Sequence, residues 1–202
     1  MQMKQKKLEI FLQKTPEFEK PKPELEQYLT PATIAADILF LAYQQGDIKD
    51  KTILDLGCGT GIFSIGACLL GAKKVIGTDI DKNTIEIAKK FAKQNNLQIE
   101  YITKDVIKIK KIVDTVIMNP PFGAQKSNIN ADRKFLEKAF EQSKIIYSLH
   151  LSKTIPFIEK MIHSLKGEIT LSKEYIFPIK STQRFHKKKI ENFNVKLIRI
   201  KT

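Results

Sequence analysis

Short apolar runs alternate with longer amphipathic stretches along most of the chain. The runs "KTILDLG", "KKVIGTDI", "IEYIT" and "VDTVIMN" are predicted to be buried β-strands. Around and between them, apolar residues at helical spacing predict helices over residues 31–45, 60–70 and 81–94, the first of them capped by Thr30. Strands and helices that alternate in this way predict a parallel, doubly wound α/β sheet.

The pattern changes toward the carboxyl terminus. "DRKFLEKAFEQSK" predicts a helix, "IIYSLH" a fifth strand and "KTIPFIEKMIHSL" a further helix. Two strands, "GEITLSKEYIF" and "NVKLIRI", follow with no helical segment between them, so they are expected to pair as an antiparallel hairpin with a long basic loop. The prediction is therefore a seven-stranded, mostly parallel sheet that ends in an antiparallel C-terminal hairpin.

The length of 202 residues fits one domain with a single core. We expect that domain to cover residues 25–202. Residues 1–24, which include "TPEFEKPKPE", are expected to form an arm that is either mobile or docked through Leu8, Phe11 and Leu12. No apolar run approaches the roughly 20 residues that a membrane span needs, and the first residues lack the apolar region of a signal peptide, so a cytoplasmic location is expected.

Basic residues exceed acidic ones, which gives the chain a net charge of +13 at pH 7. From residue 180 to the end there are eight basic residues and one acidic residue. A basic cluster of this kind is what a surface needs to neutralise nucleic-acid phosphates. Charge alone is equally compatible with a solvated, lysine-rich face. Cys58 and Cys68 lack the paired spacing and nearby histidines of a zinc site, so no metal is expected.

The first predicted strand ends in "DLGCGTG", which places three glycines at alternate positions between strand and helix. Glycine lets the backbone approach a ligand closely there. Ile62 stands where a dinucleotide fingerprint has its third glycine, and the Asp55 carboxylate below the loop would repel a pyrophosphate. The same carboxylate suits the ammonium and sulfonium groups of S-adenosylmethionine. An NAD-dependent oxidoreductase is therefore the weakest alternative.

Acidic residues also follow the second and third predicted strands. Asp79 stands where an acidic residue accepts hydrogen bonds from ribose hydroxyls, and Asp105 is expected to accept from the adenine amino group of the cofactor. Taken singly, each aspartate is better explained as a helix cap or a solvated turn. Three at the carboxyl edge of one sheet predict a cofactor site, and the residues assigned to it there are Asp55, Gly57, Gly59, Asp79, Ile80, Asp105, Val106 and Asn119.

The stretch "VIMNPPFGAQ" ends the fourth predicted strand, and its two prolines stiffen the turn. An adenine amino group is a poor nucleophile because its lone pair is delocalised into the ring. Hydrogen bonds from that group to the Asn119 side-chain oxygen and the Pro120 carbonyl would favour its tetrahedral form as a methyl group arrives. Phe122 would stack on a base turned out of its strand. Asn119, Pro120, Pro121 and Phe122 are therefore predicted to be catalytic, the alternative being a purely structural turn.

Further motifs extend the pattern from about residue 25 to the end of the chain. In order they are "LEQYLTP", "DLGCGTGIFSIGACLLGA", "VIMNPPFGAQ", "ADRKFLEKA", "YSLH", "RFHKKK" and "VKLIRI". On these motifs the chain resembles the small-subunit ribosomal RNA adenine-N6 methyltransferases of the methyltransferase-like family, in their archaeal form. The resemblance implies the Rossmann-like class I methyltransferase fold, with S-adenosylmethionine as cofactor and ribosomal RNA as substrate.

The same resemblance implies roles for individual residues. Gln27, Tyr28 and Thr30 would close over the cofactor, and "GAQKSNINADRK" would form a loop that gates the substrate. A small zinc-ribbon partner of the Trm-one-twelve type would add a strand to the sheet edge formed by "IEYIT". The residues that would face RNA lie in "FHKKK" and are His186, Lys187, Lys188 and Lys189.

Two other functions stay open on the sequence. Protein glutamine-N5 methyltransferases also use Asn-Pro-Pro before an aromatic residue, although that residue is usually a tyrosine and this chain has Phe122. The chain is also compatible with a ribosome-assembly scaffold that binds S-adenosylmethionine without turnover. The complete Asn-Pro-Pro-Phe sequence argues against the scaffold.

Overall fold

The computed structural model describes residues 3–123, 131–180 and 190–202. Within them, seven strands form one mixed sheet in the order β3-β2-β1-β4-β5-β7-β6. The strands β1 to β5 are parallel, and β7 runs antiparallel to both β5 and β6. This is the predicted sheet of a class I methyltransferase. Its strands are β1 Thr52–Leu56, β2 Lys74–Asp79, β3 Glu100–Thr103, β4 Val113–Met118, β5 Ser143–Leu151, β6 Glu168–Lys180 and β7 Ile190–Lys201.

The helices of the described residues follow the predicted order with small changes at their ends. No helix in this part of the chain is long and apolar enough to cross a membrane. The C-terminal strands β6 and β7 are longer than predicted because their pairing continues from Ile169 and Ile200 outward to Lys180 and Ile190. The helices are α1 Gln5–Leu12, α2 Ala32–Gln44, α3 Ile62–Leu69, α4 Lys82–Gln94, α5 Ala131–Gln142 and α6 Ile155–Ser164.

The central strands of the sheet are buried on both faces. On one face, α1, α2 and α3 cover Ile53, Val75 and Ile117. On the other face, α5 and α6 cover Leu54 and Val116. Neighbouring residues of β1 and β4 therefore point into different cores, which explains why these strands read as continuous apolar runs rather than alternating ones.

The N-terminal residues include a helix that packs on this core. Leu8 and Leu12 of α1 are fully buried against α2 and α3, and Phe11 makes an edge-to-face contact with Phe91 of α4, with ring centroids 6.3 Å apart. These contacts join α1 to the core through the apolar residues of the expected arm. Residues 13–31 are therefore held at both ends, by α1 and by α2.

The strand register brings three sequence motifs together. Leu56 at the end of β1 pairs with Thr78 of β2 on one side and with Met118 of β4 on the other. Gly57 and Asn119, which follow β1 and β4, therefore leave the sheet next to one another at its carboxyl edge, with Gly57 beside Asp79, the last residue of β2. Open α/β sheets bind ligands at this edge.

Candidate active site

A cavity of about 310 Å³ opens at the carboxyl edge of the sheet. This volume lies at the lower end of the range of roughly 300 to 1,000 Å³ for small-molecule sites. The structure brings most of the residues predicted for the cofactor to this one cavity. Those that line it are Gln27, Tyr28, Thr30, Gly57, Gly59, Asp79, Ile80, Asp105, Val106 and Asn119.

The glycine loop is tied to β2 by hydrogen bonds. The amides of Gly57 and Cys58 both donate to the Thr78 carbonyl at 2.8 Å, and the Gly59 amide donates to Asp79 Oδ2 at 2.9 Å. Gly57 and Gly59 have φ of +75° and +54°, a region that residues with a Cβ seldom adopt. Asp79 also accepts from the Asp81 amide, and burial raises the pKa of its carboxyl. Asp79 therefore fixes the loop while it lines the cavity.

Asp55 lies beneath the loop and is not part of the described cavity lining. Its Oδ2 accepts from the Ser64 amide at 2.8 Å and from the Ser64 hydroxyl at 2.6 Å. Gly61, the N-cap of α3, has no side chain, so the Asp55 carboxylate satisfies the first turn of that helix instead. Burial raises the pKa of Asp55 to about 7. Asp55, predicted to contact the cofactor, thus lies behind the cavity wall and contacts α3.

The adenine end of the predicted site combines an apolar surface with a carboxylate. Ile80 is 53% exposed, although it lines the cavity, so it offers an apolar face to a ligand. Asp105 caps a short 3₁₀ helix, with Oδ1 accepting from the Ile107 amide at 3.1 Å. Asp105 therefore caps a helix and also lines the cavity.

Asn119 is oriented by a residue from a distant part of the chain. Its Nδ2 donates to Thr30 Oγ1 at 3.2 Å, whereas its Oδ1 is buried and accepts no hydrogen bond from any described residue. The prediction that Thr30 caps α2 is wrong, because Pro31 is the N-cap and no side chain caps the helix. Pro31 delays the start of the helix by one residue, and the Thr30 hydroxyl meets Asn119 instead.

The Phe122 ring packs in an aromatic cluster with Tyr28 and Phe177. It stacks on Tyr28, with centroids 5.2 Å apart and planes 29° apart, and meets Phe177 edge to face at 5.8 Å. Burial raises the pKa of Tyr28 well above its usual value. Phe122 and Pro120 are buried and do not belong to the described lining, whereas Pro121 lines the cavity. The turn thus presents Asn119 and Pro121 to the cavity and Phe122 to the cluster.

Some cavity residues were missed at the sequence level, and some predicted ones lie outside the described residues. Phe18 comes from the segment predicted as an arm, Glu26 from the motif "LEQYLTP", and Lys134 and Phe135 from α5. A single apolar residue within the polar stretch "TPEFEKPKPE" was the one signal for Phe18. The predictions outside the described residues concern most of the gating loop, residues 124–130, together with His186, Lys187, Lys188 and Lys189.

The chain is similar to several known methyltransferases. Residues 33–120 match the family described as ribosomal protein L11 methyltransferase (PrmA). An rRNA N(6)-adenosine-methyltransferase, METTL5 of Danio rerio, is 38% identical over 204 residues, which cover 98% of each chain. An uncharacterized protein of Methanocaldococcus jannaschii is 40% identical, over 98% of this chain and 94% of its own. The crystal structure of a candidate RNA methyltransferase from Pyrococcus horikoshii superposes with a TM-score of 0.92 at 40% identity, covering 100% of this chain and 99% of that one.

Proposed function

The chain belongs to the family of rRNA N(6)-adenosine-methyltransferases that includes METTL5, and we propose that it methylates N6 of an adenine in small-subunit ribosomal RNA with S-adenosylmethionine. The observation that carries this proposal is the buried Asn119 Oδ1, an acceptor without a donor among the described residues, on the wall of a cavity that also contains the glycine loop. A buried acceptor left without a partner costs about 1–3 kcal/mol, so its retention favours a ligand that donates to it.

The cavity fits the parts of S-adenosylmethionine. Asp79 is placed to accept from the ribose hydroxyls, Ile80 and Val106 to pack on the adenine ring, and Asp105 to accept from its amino group. Gly57 and Gly59 let the ligand approach the backbone, and Gln27, Tyr28 and Thr30 close the opposite side. When bound, the cofactor supplies a methyl group on a positively charged sulfur. In this proposal Asp55 acts indirectly, through the loop and α3.

Asn119 carries the chemical step in this proposal. Its Oδ1 and the Pro120 carbonyl accept from the N6 amino group of the target adenine, which favours the tetrahedral nitrogen of the transition state over the flat ground state. The hydrogen bond from Asn119 Nδ2 to Thr30 leaves Oδ1 as the atom available to that amino group. No strong base is required, because orientation in such a site reaches effective molarities of roughly 10⁵–10⁸ M.

The aromatic cluster provides the surface for a flipped base. A base that stacks on Phe122 has to replace the Tyr28 ring or to occupy the opposite face of Phe122. Phe122 is buried between Tyr28 and Phe177, so its ring is covered in this structure. We propose on this basis that Tyr28 moves when the substrate binds.

We also propose a small zinc-ribbon activator on the β3 edge. Among the described strands, β3 is the last on its side of the sheet, so one row of its backbone groups is free to pair with an added strand. Near its start, Lys111 lies 3.4 Å from Glu100, and the next residue, Ile112, is 84% exposed. Ile107, on the segment after β3, is 51% exposed. These isoleucines suit an apolar partner surface.

The direct test is transfer of radiolabelled methyl groups from S-adenosylmethionine to small-subunit ribosomal RNA, with and without a zinc-ribbon activator. We expect label in the RNA, and N6-methyladenosine as the labelled nucleoside after digestion. Large-subunit RNA and ribosomal protein serve as competing acceptors in the same assay. Label recovered only as methylglutamine in protein, or no transfer to any of these acceptors, would contradict the proposed substrate.

Replacement of Lys187, Lys188 and Lys189 with alanine is expected to weaken RNA binding and to reduce its dependence on salt. Each lost phosphate contact reduces the magnitude of the slope of log affinity against log salt concentration by about 0.7 to 0.9. The slope of the triple variant should therefore be smaller in magnitude than that of the wild type by up to about 2 to 3. The matched control removes three lysines from α4, namely Lys89, Lys90 and Lys93. Equal slopes for the two triple variants would assign the hairpin lysines to a solvated surface.

A further inference from the structure

Residues 13–31 form a strap between α1 and α2 that supplies part of the cavity wall, and only part of this strap resembles the family motif. The strap contributes Phe18, Leu25 and Glu26 to the wall in addition to Gln27 to Thr30. Both of its ends are anchored in the core, by Leu12 on one side and by Ile34 on the other. Its middle is held to the rest of the fold by side chains.

Phe18 packs directly on the glycine loop. Its Cζ lies 3.1 Å from the position that a Cβ would occupy on Gly59, so the ring sits against the backbone at the point where that backbone faces the cavity. Phe18 is only partly buried although it is a large apolar residue in a polar segment. A ligand in the cavity would cover its remaining surface, which is the arrangement expected of a residue that contacts a ligand.

Three polar contacts order the middle of the strap, and two of them join it to Asp81. Lys22 Nζ lies 3.0 Å from Asp81 Oδ1, Gln27 Nε2 donates to Asp81 Oδ2 at 2.9 Å, and the Lys22 amide donates to Gln27 Oε1 at 2.8 Å. Asp81 is almost fully buried. Although burial acts in the opposite direction, the hydrogen bonds from Gln27 and Lys22 lower the pKa of Asp81. The carboxylate also caps α4 by accepting from the Asn83 amide, so it is fixed to the scaffold.

We propose that Phe18 is a cofactor-contacting residue and that the Lys22–Asp81 pair positions it, so that the cofactor enters and leaves the cavity by displacement of the strap. This rests on the proposed binding of S-adenosylmethionine in the cavity. Lys22 is not part of the described lining, so it acts on the ligand through the strap. Phe18 contacts the ligand itself.

The test measures affinity and dissociation rate of S-adenosylmethionine and S-adenosylhomocysteine on the full chain. Phe18→Ala is expected to weaken both ligands about tenfold, because an aromatic contact of this size is lost. Lys22→Met is expected to speed dissociation several-fold. The double variant should dissociate no faster than the faster single variant, because both residues act through one strap. Phe18→Leu, which keeps an apolar side chain, should recover part of the affinity.

Lys20→Met is the matched control, because Lys20 is exposed on the same strap and its replacement removes the same charge as Lys22→Met. It is expected to leave both the affinity and the dissociation rate at the wild-type values. Wild-type binding that is unaffected by Phe18→Ala and Lys22→Met would overturn the role of the strap and leave the proposed function standing. Absence of binding to the wild-type protein would overturn both. Equal effects of Lys20→Met and Lys22→Met would show that lost positive charge alone changes binding, and would contradict the positioning role of the Lys22–Asp81 pair.

Discussion

Asn119→Ala is expected to lower the methyl-transfer rate by about 10²- to 10³-fold, the loss typical of removing one group that stabilises charge in a transition state. The alanine removes the buried Asn119 Oδ1, the acceptor proposed for the target amino group. Cofactor binding should persist, because the glycine loop is held by Thr78 and Asp79 rather than by Asn119. Single-turnover transfer and cofactor titration on the same preparations separate these effects.

Two further variants sharpen this result. Asn119→Asp keeps an acceptor oxygen but loses the hydrogen bond from Nδ2 to Thr30, so an intermediate rate is expected. Asn83→Ala, at an exposed position in α4, is the control for loss of an asparagine and should transfer at the wild-type rate. Full turnover by Asn119→Ala would remove Asn119 from the chemical step and return the Asn-Pro-Pro turn to a structural role.

The stability of the ligand-free protein is expected to fall between about pH 4 and pH 7 because of Asp55. An aspartate in the unfolded chain has a pKa of about 3.9, whereas burial raises the pKa of Asp55 to about 7 in the folded protein. Between these values the folded state holds a proton that the unfolded state has lost. Stability therefore declines as the pH rises toward 7, by about 4 kcal/mol at most for a shift of roughly three units.

Urea unfolding of the wild-type protein and Asp55→Asn across this pH range isolates the effect. The asparagine oxygen can still accept from Ser64, but it does not titrate, so the variant should lack this part of the decline. Ser64→Ala removes a donor that favours the ionised carboxylate, and its decline should extend to higher pH. Parallel pH profiles for wild type and Asp55→Asn would mean that Asp55 ionises normally despite its burial.

The sheet and its ligand edge were predictable because local patterns dictate them. Continuous apolar runs such as "TILDL" predict strands that are buried on both faces, and the glycine turn at Gly57 predicts a close approach of the backbone to a ligand. Asp79 is the last residue of a strand, so its place at the carboxyl edge follows from the fold itself. Residue spacing could not predict that Asp55 turns toward Ser64, because that depends on how the first turn of α3 sits over β1.

By itself, the sequence determined the order of the elements, the glycine loop and the position of Asn119 at the end of a strand. The tertiary structure alone decided the rest of the site. Contacts such as Thr30 with Asn119 and Phe18 with Gly59 join residues far apart in the chain, and Tyr28 meets Phe177 in the same way. The physical reason is that strand and helix periodicities are local, whereas the partner of a buried polar atom or an aromatic ring is set by the packing of segments that no local pattern relates.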